Sequence, residues 1–176
     1  MTRPGDPAAD PGSMLRVDQA GEYGATRIYA GQLAVLGEHH PMSGEIGRMA
    51  AQEKVHLKHF DDLLAARGVR PTLLQPVWDV AGFALGAATA MLGPKAAMAC
   101  TAAIETEIDR HYGEQLEALG DSDPALSASI ARFQADERAH RDAALAAGAE
   151  QTIGYPILYA AIRAGCRVAI ELSKRI

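Results

Sequence analysis

The sequence predicts an all-α fold: a four-helix bundle with a long apolar crossover helix and an additional C-terminal amphipathic helix. Three observations carry that expectation. The 176 residues are 48% apolar yet only 5% aromatic, with runs such as Ala143-Ala144-Leu145-Ala146-Ala147. Alanine is the best helix former, and the β-branched residues that favour strands are comparatively few. Apolar residues recur at steps of three and four through four long segments, and glycine and proline punctuate the gaps between them.

In chain order, Ser13 follows Pro11-Gly12 and is placed to cap a first helix running to about Gly37. Its stripe is Leu15, Glu22, Tyr29 and Leu36, with Thr26 and Leu33 between. Ser43 is placed to cap a second helix that reaches Arg67 and stops at Gly68, with the stripe Ile46, Met49, Glu53, His56, Phe60 and Leu63. Pro71 to Pro76 reads as a loop, and Val77 to Leu92 as a short, strongly apolar helix. A third bundle helix spans about Pro94 to Leu119, with Met98, Thr101, Glu105, Ile108, Tyr112 and Leu119 on one face. Asp123-Pro124 is an N-cap followed by a first-position proline, opening a fourth helix that runs to Ala147. On it Leu126, Ile130, Phe133, Glu137, His140 and Ala144 share a face. A last helix covers Tyr155 to about Lys174.

Two of these helices carry a Glu-x-x-His step, Glu53–His56 and Glu137–His140. Each is preceded by a lone glutamate, Glu22 lying 31 residues before Glu53 and Glu105 lying 32 before Glu137. Residues three apart on a helix share a face, so each step is a two-toothed metal claw. All six residues fall on stripes where a bundle buries leucine, and an isolated buried carboxylate there would cost several kcal/mol or take up a proton. Two divalent ions balance four ionised glutamates. Oxygen-rich ligation with one imidazole per metal suits iron or manganese better than zinc or copper(I). Two helical hairpins joined by a crossover, residues 68–93 here, give the ferritin-like arrangement. Glu107 is a rival to Glu105, but two residues turn it about 200° off the stripe. Tyr112, two turns beyond Glu105, is either a cavity residue near the metals or a packed core tyrosine. His111 is open to a role behind the metal ligands or on the substrate side, and His59 reads as a solvated histidine. Gly21 and Gly24 flank Glu22 and would admit either substrate or a neighbouring helix.

The net charge of −5 argues against nucleic acid as the main partner. Cys100 and Cys166 form no Cys-x-x-Cys pair, which disfavours a disulfide framework or a rubredoxin-type centre and fits a reducing compartment. Residues 1–13 lack the apolar region of a secretion signal and the arginines of a transit peptide. They read as a disordered leader on a protein that is not exported, with residues 14–176 as one domain.

The strings Arg16-Val17-Asp18-Gln19-Ala20-Gly21-Glu22-Tyr23-Gly24-Ala25, Gln52-Glu53-Lys54-Val55-His56-Leu57-Lys58, Gly82-Phe83-Ala84-Leu85-Gly86-Ala87, His111-Tyr112 and Ala164-Gly165-Cys166-Arg167 resemble the di-iron demethoxyubiquinone hydroxylases of ubiquinone biosynthesis. The resemblance covers about residues 14–176. It implies two iron ions held by Glu22, Glu53, His56, Glu105, Glu137 and His140. The implied reaction is O2-dependent hydroxylation of the ring of a polyprenyl methoxy-methyl-benzoquinone, with NADH as reductant. The resemblance also implies a peripheral place on the cytoplasmic face of a bacterial cell membrane or the matrix side of the inner mitochondrial membrane. Eukaryotic relatives work with a lipid-binding accessory protein. Arg138, Ala139 and Arg141 depart from the acidic or histidine residues of the family pattern. A ferritin-like iron-storage or peroxide-reducing protein is the competing reading.

A bilayer substrate needs a route from the membrane. Val80 to Gly93 is uncharged for 14 residues, too short to span, and reads either as an interfacial or re-entrant helix or as a buried crossover. In the last helix, Ile157, Leu158, Ile162, Val168, Ile170 and Leu172 accompany Arg163, Arg167, Lys174 and Arg175, a composition suited to an anionic membrane surface.

Overall fold

A computed structural model describes residues 10–176, which form six α-helices: α1 (Pro11–Leu36), α2 (Ser43–Arg67), α3 (Gln75–Met91), α4 (Pro94–Leu119), α5 (Pro124–Ala146) and α6 (Tyr155–Arg175). A short 3-10 turn, Ala149–Gln151, precedes α6. Most boundaries follow the local punctuation. Asp123 accepts from the Leu126 amide at 3.0 Å and Pro124 fills the first turn of α5. Gly68 closes α2 in the left-handed region, φ 63°, with its N–H turned back to the last carbonyls.

Two expected caps are not caps. Asp10, not Ser13, opens α1, accepting from the Gly12 amide at 3.1 Å, so residues 11–13 of the expected leader are helical; residues 1–9 lie outside the described residues. Ser13 instead donates to the Lys174 carbonyl at 3.2 Å, tying the start of α1 to the end of α6. Ser43 donates to the Gly37 carbonyl at 2.6 Å, bracing the α1–α2 turn, and Met42 takes the cap position. In both cases a distant carbonyl wins the hydroxyl from the local amide.

The helices assemble as two hairpins, α1–α2 and α4–α5, in a ferritin-like bundle, with α3 and α6 both laid over α1 and α4. Across the bundle α2 and α5 are joined by long side chains, including His59 Nε2 to Ser129 Oγ at 3.0 Å. His59, expected to be solvated, is thus half-buried, with its ring edge-on to Phe60 and Phe133. One apolar cluster, with Phe60, Leu126 and Phe133, fills the α1-start end of the bundle; another, with Ile46, Met49 and Met98, fills the opposite end. The six candidate ligands lie between them.

α3 meets α1 backbone to backbone. A Cβ on Gly86 would sit 2.0 Å from the Ile28 carbonyl oxygen, and one on Gly31 2.2 Å from that of Phe83. A Cβ on Gly21 or Gly24 would meet nothing within 4 Å, although the Gly24 carbonyl oxygen lies 3.0 Å from where a Cβ on Gly82 would sit. Asp79 adds polar pins to α1, accepting from the Tyr23 hydroxyl at 3.0 Å and pairing with Arg27 at 2.5 Å. The other side of α3 exposes Val77, Val80 and Met91. The crossover is therefore neither wholly buried nor wholly peripheral.

α6 is pinned differently. Glu107, turned off the α4 stripe as expected, points not to solvent but into the α4–α6 interface, where it is fully buried. Arg163 reaches one of its oxygens at 2.5 Å and Arg110 the other at 2.9 Å. Arg163, expected among the membrane-facing cations, is committed to this pair. Burial opposes ionisation of Glu107, but the two guanidiniums hold its pKa below the ordinary carboxylate value of 4.5. Its contribution is therefore present above pH 4.5 and is lost as pH falls through the lower folded value. Glu107→Gln is expected to cost about 2 kcal/mol through the weakened charged hydrogen bonds. Hydrogen exchange should speed up selectively in α6; exchange in α6 no faster than in the parent would refute the pin.

Candidate metal centre

Glu22 comes from α1, Glu53 and His56 from α2, Glu105 from α4, and Glu137 and His140 from α5. Each is at most 1% exposed. Their ligating atoms form two groups, Glu22–Glu53–His56–Glu137 and Glu53–Glu105–Glu137–His140, in each of which all atoms lie within 4.8 Å of one another. Glu53 and Glu137 belong to both groups, so they stand between two positions; Glu22 and Glu105 mark the outer ends. His56 Nδ1 is 3.0 Å from Glu137 and 3.5 Å from Glu22, and His140 Nδ1 is 2.9 Å from Glu53.

These residues fit a pair of metal ions on their own chemistry. Eight of their side-chain atoms are buried with no hydrogen-bond partner: Glu22 Oε2, Glu105 Oε2, both oxygens of Glu53 and Glu137, and Nδ1 of both histidines. Buried polar atoms are seldom left so, and a convergent set of them needs a cation. Burial pushes the pKa of Glu53 and Glu105 well above the usual carboxylate range, with repulsion from Glu137 adding to it. Burial opposes ionisation of Glu137 as well, but positive charge on His140 and His56 brings its pKa down to about 2, and a cation bound between them would take over that role.

Atoms facing away from the centre are held by partners. His56 Nε2 lies 3.1 Å from Asp136 Oδ2, and His140 Nε2 lies 3.2 Å from Gln52 Oε1. Both acceptors call for a proton on Nε2, which leaves the Nδ1 lone pairs for a metal. The Tyr112 hydroxyl donates to Glu22 Oε1 at 2.5 Å, and the Tyr29 hydroxyl to Glu105 Oε1 at 2.8 Å. Tyr112, packed in the apolar cluster with Phe60 and Phe133, thus touches a ligand candidate directly. Tyr112→Phe strands a carboxylate oxygen; a stability loss of about 1–3 kcal/mol and a metal affinity about tenfold lower are expected in thermal melts and metal titrations. An unchanged affinity would mean that the hydroxyl does not orient Glu22.

Sequence reasoning passed over Tyr29, Gln52 and Asp136 as functional residues, although a signal was there. Each tyrosine follows its glutamate by seven residues, and Gln52 and Asp136 each precede theirs by one. Gln32 and Gln115 extend the repeat at ten residues beyond Glu22 and Glu105. Gln115 Nε2 donates to Asp18 Oδ1 at 2.7 Å and to His111 Nε2 at 2.9 Å, whereas Gln32 Nε2 donates to the Ala97 carbonyl at 3.0 Å. His111 is therefore outside the metal cluster, in a buried polar group with Asp18. Burial, aided by Lys174 and Arg110, lowers its pKa to about 4, so it is neutral at pH 7.

Comparison with known proteins places this site in a family. The family model described as Ubiquinone biosynthesis protein COQ7 matches residues 9–173. A Rhodospirillum rubrum protein named 3-demethoxyubiquinol 3-hydroxylase is 56% identical over 98% of this chain and 82% of its own. The human mitochondrial NADPH-dependent 3-demethoxyubiquinone 3-hydroxylase is 50% identical, over 93% of this chain and 76% of its own. The mitochondrial 5-demethoxyubiquinone hydroxylase of Saccharomyces cerevisiae is 40% identical, over 93% and 77%. The chain therefore belongs to the ubiquinone biosynthesis protein COQ7 family.

Proposed function

We propose that this chain is an O2-dependent di-iron monooxygenase that hydroxylates the ring of a demethoxyubiquinol in ubiquinone biosynthesis. Hydroxylation in that pathway is the activity its relatives are named for, and none of the three is named for iron storage or peroxide removal. The observation that carries the di-iron reading is the set of eight buried, unpartnered atoms from Glu22, Glu53, His56, Glu105, Glu137 and His140.

When bound, the two iron ions supply the reductive activation of O2 that ring hydroxylation needs. The chain's own residues do the rest. Tyr29 and Tyr112 fix the outer glutamates, and Gln52 and Asp136 fix the imidazole tautomers. The apolar clusters above and below keep bulk water away. Ala25, Ile28, Thr101 and Ile104 close over Tyr29 and Glu105 on the side covered by α3 and α6, with no room for even a water. We assign the quinone's approach to this side, where those side chains must part to admit the ring. One oxygen atom enters the ring and the other leaves as water, so two electrons are required per turnover. NADH is the reductant we propose; the human relative is named for NADPH. Single-turnover oxidation with each nucleotide distinguishes them.

The same side of the molecule suits a membrane surface. Val77, Val80, Met91 and Leu92 are more than half exposed in and after α3, as are Ile157 and Val168 in α6. No helix among the described residues is long and apolar enough to cross a membrane. We therefore propose peripheral attachment through α3 and α6, on the cytoplasmic face of a bacterial membrane or the matrix side of the mitochondrial inner membrane, with a lipid-binding accessory protein as a partner on the same side. Val80→Asp combined with Ile157→Asp should abolish co-flotation with anionic liposomes while leaving the melting temperature within about 2 °C, surface changes being worth only about 0.5 kcal/mol. Undiminished flotation would rule this face out.

The function itself is tested by complementing a ubiquinone-deficient strain that accumulates the demethoxy intermediate. Rescue by the unaltered chain and none by Glu53→Ala is expected. Failure of the unaltered chain to convert the intermediate would overturn the assignment.

A further inference from the structure

We infer that the two metal positions are inequivalent: the ion ligated by His56 is held more tightly than the one ligated by His140, because a carboxylate stands behind the first imidazole and an amide behind the second. The inference rests on the two-metal reading above. Its basis is the near-repeat of the centre. Glu22 answers to Glu105, Glu53 to Glu137, His56 to His140 and Tyr29 to Tyr112, at separations of 83 or 84 residues. The hydrogen bonds follow the same pairing, with each tyrosine donating to the glutamate of the opposite hairpin at 2.5 or 2.8 Å. Against that background the position before each shared glutamate breaks the repeat: Gln52 in α2, Asp136 in α5.

Both residues reach across the bundle and do the same geometric task. Asp136 meets His56 Nε2 at 3.1 Å and Gln52 meets His140 Nε2 at 3.2 Å. They orient the rings alike, so the difference between them is electrical. An imidazole whose N–H points at a carboxylate is the better electron donor through its other nitrogen, and the acid adds a negative charge near the cation. Outer partners of metal-bound histidines are commonly worth 10- to 100-fold in affinity. The Asp136 side chain is 35% exposed, so solvent screens it, and the low end of that range, about tenfold, is the expected preference.

The test is a titration of the full chain with Mn(II), followed by electron paramagnetic resonance, where free, singly bound and exchange-coupled ions are distinct. Two ions per chain are expected to bind in two steps. Asp136→Asn should weaken the first step about tenfold. Glu22→Gln should weaken it at least as much, whereas Glu105→Gln should leave it within about twofold and remove the second. Gln52→Glu, which supplies the carboxylate that His140 lacks, should bring the two steps about tenfold closer together and guards against a folding defect in the Asp136 variant. A first step unmoved by Asp136→Asn overturns the inference, as does equal weakening by Glu22→Gln and Glu105→Gln, or no change on Gln52→Glu. In each of those cases two bound ions leave the di-iron reading standing. Fewer than two ions on the unaltered chain overturns both.

Discussion

Glutamine at position 53 or 137 is expected to cost the chain both metal ions, while glutamine at position 22 or 105 costs one. Glu53 and Glu137 are each members of both ligand groups, and neither of their oxygens has another partner. Glu22 and Glu105 each serve one group and keep a tyrosine on their second oxygen. Glutamine preserves the volume but supplies a neutral, weaker oxygen, and its N–H2 turns a donor toward the cation. Iron per chain, measured after anaerobic loading, should therefore fall from two to near zero for Glu53→Gln and Glu137→Gln and to about one for the other pair. Hydroxylation should fall at least about 100-fold in all four, beyond the effect of losing an outer partner alone. Equal metal loss across the four variants would mean that the shared glutamates do not bridge.

The second large effect comes from a residue that is no ligand candidate. Gly86→Ala would place a methyl group 2.0 Å from the Ile28 carbonyl oxygen, and backbone has nowhere to retreat but apart. Alanine gains about 1 kcal/mol of helix propensity over glycine, but overpacking of this severity costs about 3 kcal/mol or more. A net fall in melting temperature of about 4–8 °C is expected for a chain of this size. Ile28 packs over Glu105 on the side assigned to the quinone's approach, so separating α1 from α3 should also raise KM for the quinone more than it lowers kcat. A variant that melts with the parent would show that the two helices are not in backbone contact.

These two cases also mark what could be read from the chain alone. The helix stops at Gly68 and Gly120 and the start at Asp123-Pro124 were legible because caps are decided by φ angles and amides within a few residues. The six ligand candidates were legible because charge on an apolar stripe is conspicuous at helical spacing. Gly86 was not, since its reason is a carbonyl 58 positions earlier, and neither was Ser13, whose hydroxyl is taken by Lys174. The phase of Glu107 on α4 turned it off the ligand stripe, but only α6, folded back over that face, makes it a buried acid. Position on a helix tells which way a side chain points; it does not tell what has been laid against that side.

The near-repeat of the two hairpins carries one more consequence. Were the bundle assembled from two copies of a single hairpin, every substitution would enter both halves at once, and a change that helped one metal would be forced on the other. Written as one chain, the halves are released from that bond. Asp136 and Gln52 can differ, Asp18 can stand where the other half has Thr101, and His111 where it has Ile28. A division of labour between two otherwise matching halves, one ion anchored and the other readier to change its ligands, is open only to an architecture in which symmetry has become optional.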